Sequence, residues 1–280
     1  MSRQLRIEYP GAFYHVMSRG NARQNIFYNS KDYKLFLDIL VDVADRYNWQ
    51  CYGYCLMPNH YHLLLETPNA NLSRGMRQLN GVFTQKINIA HRKVGHVLQG
   101  RYKAVIIEKQ NYLGEVVRYI ALNPVRAHLV GSPEMWPRSS YAGSIGGESI
   151  FDDGLVLGLF DINRNKAKEE LKKFVHAKIE NQDIIQKIKT AVVLGSLEFV
   201  DSIKKYSIQS GKTVKEIKNK DRFFSRPTLE MIFSEVNNKQ ERNTQIVKAN
   251  VDFGYAITEI ADYIDLHYSV VSRIIKANRD

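Results

Sequence analysis

The sequence predicts an α+β chain: a ferredoxin-like split βαβ domain with an antiparallel sheet, followed by an all-α domain that ends in a helix-turn-helix. Three observations predict it. Over residues 13–122 the apolar spacing alternates between period two and helical period in the order βαββαβ, then helix. A stretch rich in Gly, Ser and Pro follows at 132–153. Beyond it, apolar residues recur at helical spacing, and two short helical patterns meet at a tight connection near the end.

Each element has its own justification. Residues 13–18 form a first strand. Ser30 and Asp32 mark the start of a helix with Leu35, Phe36, Ile39, Leu40 and Val43 on one face. Residues 49–57 are an aromatic-rich second strand, broken by Pro58 and Asn59, and 60–67 a third. A long helix at 72–89 buries Leu72, Met76, Leu79, Val82, Phe83 and Ile87. Residues 102–109 are a fourth strand, and a helix at 111–122 ends before Pro124. The expected domains are 1–131, a linker or wrapping segment at 132–160, and a helical domain at 161–280. In the last, helices are expected at 166–179, 183–193, 197–206, 229–236, 257–264 and 268–276.

The 280 residues are 44% hydrophobic, enough for a sizeable core, and carry a formal net charge of +11. That excess favours a polyanion, either nucleic acid or an acidic membrane surface. No apolar run spans a bilayer and no signal-peptide core opens the chain, so the membrane reading loses. Cys51 and Cys55 share one strand, too close for a useful disulfide clip and wrongly spaced for a zinc knuckle. They read as buried thiols in a reducing cytoplasm.

Two spacings carry chemistry. His60 and His62 flank one residue in a strand, so both point to one face, about 7 Å apart. Two imidazoles so placed can share one metal ion. Tyr119 and Asn123, four apart, lie on one helical face. Tyr112, seven residues earlier, is the only local rival to Tyr119. Asn123 near a helix end also suits a cap. His15, in the first strand, has two readings, a lining residue on the same face or a satisfied core histidine, and the second is preferred.

Several segments in order resemble the IS200-like transposases, a branch of the HUH single-strand endonucleases, and especially the REP-associated tyrosine transposases. They are residues 13–21 (FYHVMSRGN), 54–62 (YCLMPNHYH), 100–103 (GRYK), 119–127 (YIALNPVRA) and 136–141 (WPRSSY). The resemblance covers the first half of the chain. It implies a metal-dependent single-strand DNA endonuclease and strand-transferase acting at hairpin-forming sites. Tyr119 is the implied nucleophile, leaving a 5′-phosphotyrosine. His60, His62 and Asn123 are the implied ligands of Mg²⁺ or Mn²⁺, with Asn standing where many IS200-like members have Gln. The resemblance also implies a homodimer in which the nucleophile helix can serve the partner's His pair, and a cytoplasmic, nucleoid-associated protein.

Arg19, Arg23, Arg74, Arg77, Lys86, Arg101, Lys103 and Arg126 are candidate phosphate contacts, and Tyr14, Tyr61 and Tyr102 candidate base-stacking rings. The C-terminal helix pair is similar to the DNA-binding domain of DnaA-type replication initiators. It places Ser269, Ser272, Arg273 and Lys276 on a recognition helix for duplex DNA. Competing readings are a catalytically retired DNA-binding regulator, a replication or mobilisation HUH endonuclease, and an RNA-binding protein on the same sheet topology.

Overall fold

Three strands of eight residues build the sheet: β1 (Ala12–Arg19), β2 (Gln50–Met57) and β3 (His60–Thr67). The computed structural model describes residues 6–147, 149–177, 185–188, 191–209, 228–234, 236, 238–251 and 253–277. Between the strands lie α1 (Ser30–Tyr47) and α2 (Leu72–Ala90); then come β4 (Lys103–Ile107), α3 (Lys109–Ala121) and the short α4 (Asn123–Arg126). Asn29, not Ser30, caps α1. Its side chain accepts from the Lys31 and Asp32 amides while Asp32 reaches back to the cap.

The strand order is β2-β3-β1-β4, with every one of these pairings antiparallel, as the split βαβ pattern requires. A fifth strand, β5 (Val193–Leu194), pairs parallel to β4. The sequence expected a helix at 183–193, reaching the first of these two residues. Four consecutive apolar residues, Ala191 to Leu194, suit either state by periodicity, and the open edge of β4 decides for strand. Of that expected helix, 185–188 are helical, while 183–184 and 189–190 lie outside the described residues.

Period-two alternation sorts the side chains. Tyr61 faces α1 and α2, with its ring 4.6 Å from Phe36, which meets Phe83 edge-on at 5.1 Å. His60, His62 and Leu64 face the other way, toward α3, where Leu64 packs with Phe13, Val105, Leu113, Val116 and Ile120. On the α2 side, Gly75 permits a close approach. A Cβ there would lie 2.1 Å from Trp49, whose indole nitrogen donates to Asn71 at 2.8 Å. Gly75→Ala is therefore expected to destabilise the unit by about 2 kcal/mol, despite the better helix propensity of Ala. Urea unfolding measures it; an unchanged or raised midpoint would show that Trp49 yields freely.

The chain divides into two compact units, one spanning Arg6–Asp201 and one built on Ser202–Asp280. This differs from the boundary at 131 and the linker at 132–160 expected from sequence. Residues 136–140 instead clamp the outer edge of β2. The Trp136 indole donates to the Leu56 carbonyl, the Leu56 amide to the Arg138 carbonyl, and the Tyr54 amide to the Ser140 hydroxyl. Gly, Ser and Pro mark an edge-hugging loop as readily as a linker. Next, α5 (Ser140–Gly146), α6 (Gly154–Leu157) and α7 (Arg164–His176) bury Tyr141, Val156, Leu157, Ala167, Leu171 and Val175 beside Ala121 of α3. The helix expected over 166–179 thus ends at His176, and 178–179 lie outside the described residues.

After α8 (Leu197–Gln209), the second unit contains α9 (Leu229–Phe233), α10 (Lys239–Val251), α11 (Ile257–Tyr263) and α12 (Tyr268–Ala277). Ile232, Ile246, Ala249, Ile260, Ala261, Val271 and Ile275 form its core. The last two helices match the expected pair. Asp265 takes the left-handed conformation in their turn (φ 52°), and the Leu266 amide closes it on the Ala261 carbonyl. The sequence reading missed α10, whose Gln, Glu, Arg and Asn residues mask the apolar period. No helix among the described residues is long and apolar enough to cross a membrane.

Candidate active site

Register brings the site together. Opposite β3, Arg19 of β1 pairs with His60, Met17 with His62 and His15 with Leu64; on the far side of β1, Lys103 pairs with Met17 and Val105 with His15. Facing pairs share one side of the sheet. This face therefore grades from an apolar floor of Leu64 and Val105 to a polar, cationic rim. Above it opens a cleft of about 600 Å³, lined by Arg19, Arg23, Asn59, His60, His62, Gln99, Arg101, Lys103, Tyr119 and Asn123, among others.

The first histidine is held by its own turn. His60 Nδ1 lies 2.6 Å from the Asn59 side-chain oxygen, which only accepts, so the Nδ1 proton donates and Nε2 keeps its lone pair. Asn59 in turn donates to the Arg23 carbonyl at 3.0 Å. His62 is buried. Its Nδ1 is 2.8 Å from His15 Nε2, and its Nε2 is a buried atom with no partner among the described residues. The rings of His60 and His62 are 5.1 Å apart and nearly perpendicular.

Tyr119 projects from α3 onto this pair, within the same chain. Its ring centroid is 5.5 Å from His15 and 5.8 Å from His62, edge-on to both. Asn123 Nδ2 donates to the Tyr119 carbonyl at 2.8 Å. With the nitrogen so engaged, its carboxamide oxygen is the atom left for a ligand. Arg126 lies over the Tyr119 ring at 4.9 Å and also donates to the Tyr119 carbonyl. It is packed behind the tyrosine rather than among the cleft-lining cations.

Burial dominates the electrostatics. It holds His62 well below the ordinary imidazole value, helped by repulsion from His15, His60 and Arg126. Burial, and Arg19 next, lower His60 to about 4, while burial and Lys103 lower His15 to about 3. All three rings are therefore neutral at pH 7, the state a metal requires. Burial raises Tyr119, and the Arg126 charge opposes it. Among the described residues no three His, Cys, Asp or Glu side chains cluster as a metal site. The set here is two imidazoles and a carboxamide. The orphaned His62 Nε2, the lone pair of His60 and the Asn123 oxygen are a donor set that would suit a divalent cation such as Mg²⁺ or Mn²⁺.

Residues 9–123 match the family model described as Transposase IS200 like. Over that span the chain is similar to the IS200-like transposases. His15, His60, His62, Tyr119 and Asn123 all fall within the matched segment. Two solved structures are similar to the chain. One is a REP-associated tyrosine transposase bound to a REP hairpin, 19% identical with a TM-score of 0.47, covering 52% of this chain and 86% of that one. The other is a proposed transposase from Deinococcus radiodurans R1, 19% identical with a TM-score of 0.32, covering 42% of this chain and 95% of that one. No curated protein matches the chain.

Of the candidate phosphate contacts, the structure gathers Arg19, Arg23, Arg101 and Lys103 at the cleft. Arg74, Arg77 and Lys86 are exposed on α2, over the opposite sheet face. Tyr14, Tyr61 and Tyr102 are buried and offer no ring face to a base: Tyr14 donates to the Ile7 carbonyl and Tyr61 to Asn80. In the second unit Arg273 and Lys276 are exposed and Ser269 and Ser272 half-buried on α12. Sequence reasoning missed Asn59 and Gln99, and preferred a core reading of His15 to a site-lining one. Asn59 stands beside His60, the one signal that was available.

Proposed function

We propose that the Arg6–Asp201 unit is a metal-dependent single-strand DNA endonuclease and strand-transferase that works through a 5′-phosphotyrosine. The observation that carries this reading is the convergence of Tyr119 on the His60–His62 pair inside a cleft rimmed by Arg19, Arg23, Arg101 and Lys103. The rim holds the DNA backbone and is sequence-blind. His60, His62 and Asn123 hold Mg²⁺ or Mn²⁺, which supplies charge neutralisation on the scissile phosphate when bound.

The Tyr119 oxygen attacks phosphorus. A new P–O bond forms to tyrosine, the bond to the 3′ oxygen breaks, and the tyrosine proton ends on the released 3′-hydroxyl. The neighbouring Arg126 charge favours the phenolate that develops. The phosphodiester energy is kept in the adduct, so a different 3′-hydroxyl can reverse the step without ATP. We assign hairpin-forming DNA as the substrate, a homodimer as the working form, and duplex DNA as the ligand of α12 through Ser269, Ser272, Arg273 and Lys276.

The test is incubation with a pool of labelled single-stranded hairpins and Mn²⁺, followed by a denaturing gel. A labelled band at the protein's mass, absent with EDTA, is expected. Tight DNA binding with no adduct on any substrate would replace this reading with that of a retired regulator.

A further inference from the structure

We propose that His15 is a positioning residue that holds His62 in its Nδ1–H tautomer, so that His62 presents a bare Nε2 to the cleft. The inference rests on the metal-binding reading above and extends it to a residue outside the ligand set. His15 Nε2 and His62 Nδ1 are 2.8 Å apart, and the two ring planes lie within 19° of one another, a geometry that admits an N–H···N bond between them. One proton occupies that line, and its owner decides what His62 can do.

If His62 owns the proton, its Nε2 carries a lone pair, and His15 accepts on Nε2 while carrying its own proton on Nδ1. If His15 owns it, His62 must carry its proton on Nε2, and a protonated nitrogen ligates nothing. Both outer nitrogens, His15 Nδ1 and His62 Nε2, are buried without a partner among the described residues. In the first arrangement a metal satisfies one of them, leaving only His15 Nδ1 unpaired. In the second, a metal satisfies neither. Buried unpaired polar atoms are costly, so metal binding and proton position favour each other.

Packing alone does not call for this side chain. His15 sits at a fully buried strand position between Leu64 and Val105, where Leu or Val would fill the space with no polar atom to satisfy. The same ring also meets Tyr119 edge-on, so the nucleophile and a metal ligand lean on one support.

The test uses the full chain, with Mn²⁺ alone as the probe. Calorimetric titration is expected to show about 10- to 100-fold weaker Mn²⁺ binding in His15→Leu, with unfolding of the metal-free protein no easier than in the wild type. His15→Gln, which restores an acceptor on the side chain, is expected to recover most of the affinity and also serves if the Leu variant fails to fold. Wild-type affinity in a folded His15→Leu overturns the proposal. Nitrogen-15 NMR of the His62 ring reads the tautomer directly. A proton on Nδ1 in the wild type sustains the proposal, and a proton on Nε2 overturns it. If the wild type itself binds no Mn²⁺, the metal reading falls, and the ring spectrum still decides the role of His15.

Discussion

Tyr119→Phe is expected to abolish the covalent protein–DNA adduct and to lower cleavage by at least about 10³-fold, the scale seen when a nucleophile is removed. The substitution deletes one oxygen and keeps the ring that packs edge-on against His15 and His62 and beneath Arg126. Folding stability should therefore change by less than about 1 kcal/mol. DNA affinity should hold as well, because the rim cations are untouched. His60→Ala is expected to lose cutting too, but for a different reason: it removes a metal donor and leaves the tyrosine in place. The pair of variants separates the roles. Added Mn²⁺ at high concentration should restore some activity to His60→Ala and none to Tyr119→Phe. Tyr112→Phe is the control, since Tyr112 packs at the edge of the α3 core and lines no part of the cleft. An adduct that survives in Tyr119→Phe and disappears in Tyr112→Phe would transfer the nucleophile's role to Tyr112.

The parts of this fold that sequence makes legible are those where one physical signal has one solution. Period-two alternation through His60 to Leu65 fixes which residues share a face, so placing His60 and His62 together needs no tertiary information. Helical spacing does the same for Tyr119 and Asn123. Readings fail where the same composition suits two states and a distant edge chooses between them. Val193–Leu194 becomes a strand because β4 offers an open edge, and the segment around Trp136 to Ser140 becomes an edge clamp because β2 does. The role of His15 depends on register. It meets His62 diagonally, because β1 and β3 pair Met17 with His62 and His15 with Leu64, and a slip of one residue would turn it to the other face. Nothing local to residues 13–18 encodes that pairing. The cationic rim shows the same division: Arg19 and Arg74 look alike in sequence, and only the sheet separates the cleft face from the α2 face.

Acidification of the metal-free protein from pH 6.5 to 4.5 is expected to remove about 2 kcal/mol of stability through His15, with further losses through His60 and His62. In the unfolded chain all three titrate near the ordinary imidazole value. In the folded chain burial holds His15 down to about 3 and His62 well below its ordinary value. Above pH 6.5 both states are neutral at these sites and no penalty arises. Below it the unfolded state binds protons that the folded state refuses, so stability falls steadily as pH drops, until the folded-state values are reached. Urea unfolding in EDTA at the two pH values measures the loss, and His15→Leu should remove the His15 share of it. A midpoint unchanged between pH 6.5 and 4.5 would mean that these rings take up protons inside the fold. The burial that makes the apo-protein acid-sensitive also shields the ligands. His60 is lowered to about 4 and His62 well below the ordinary imidazole value, so in the folded protein protons compete little with a metal at pH 5.5. Mn²⁺ affinity should therefore stay nearly flat from pH 7 to 5.5, where a solvent-exposed pair of imidazoles would already have lost most of its hold.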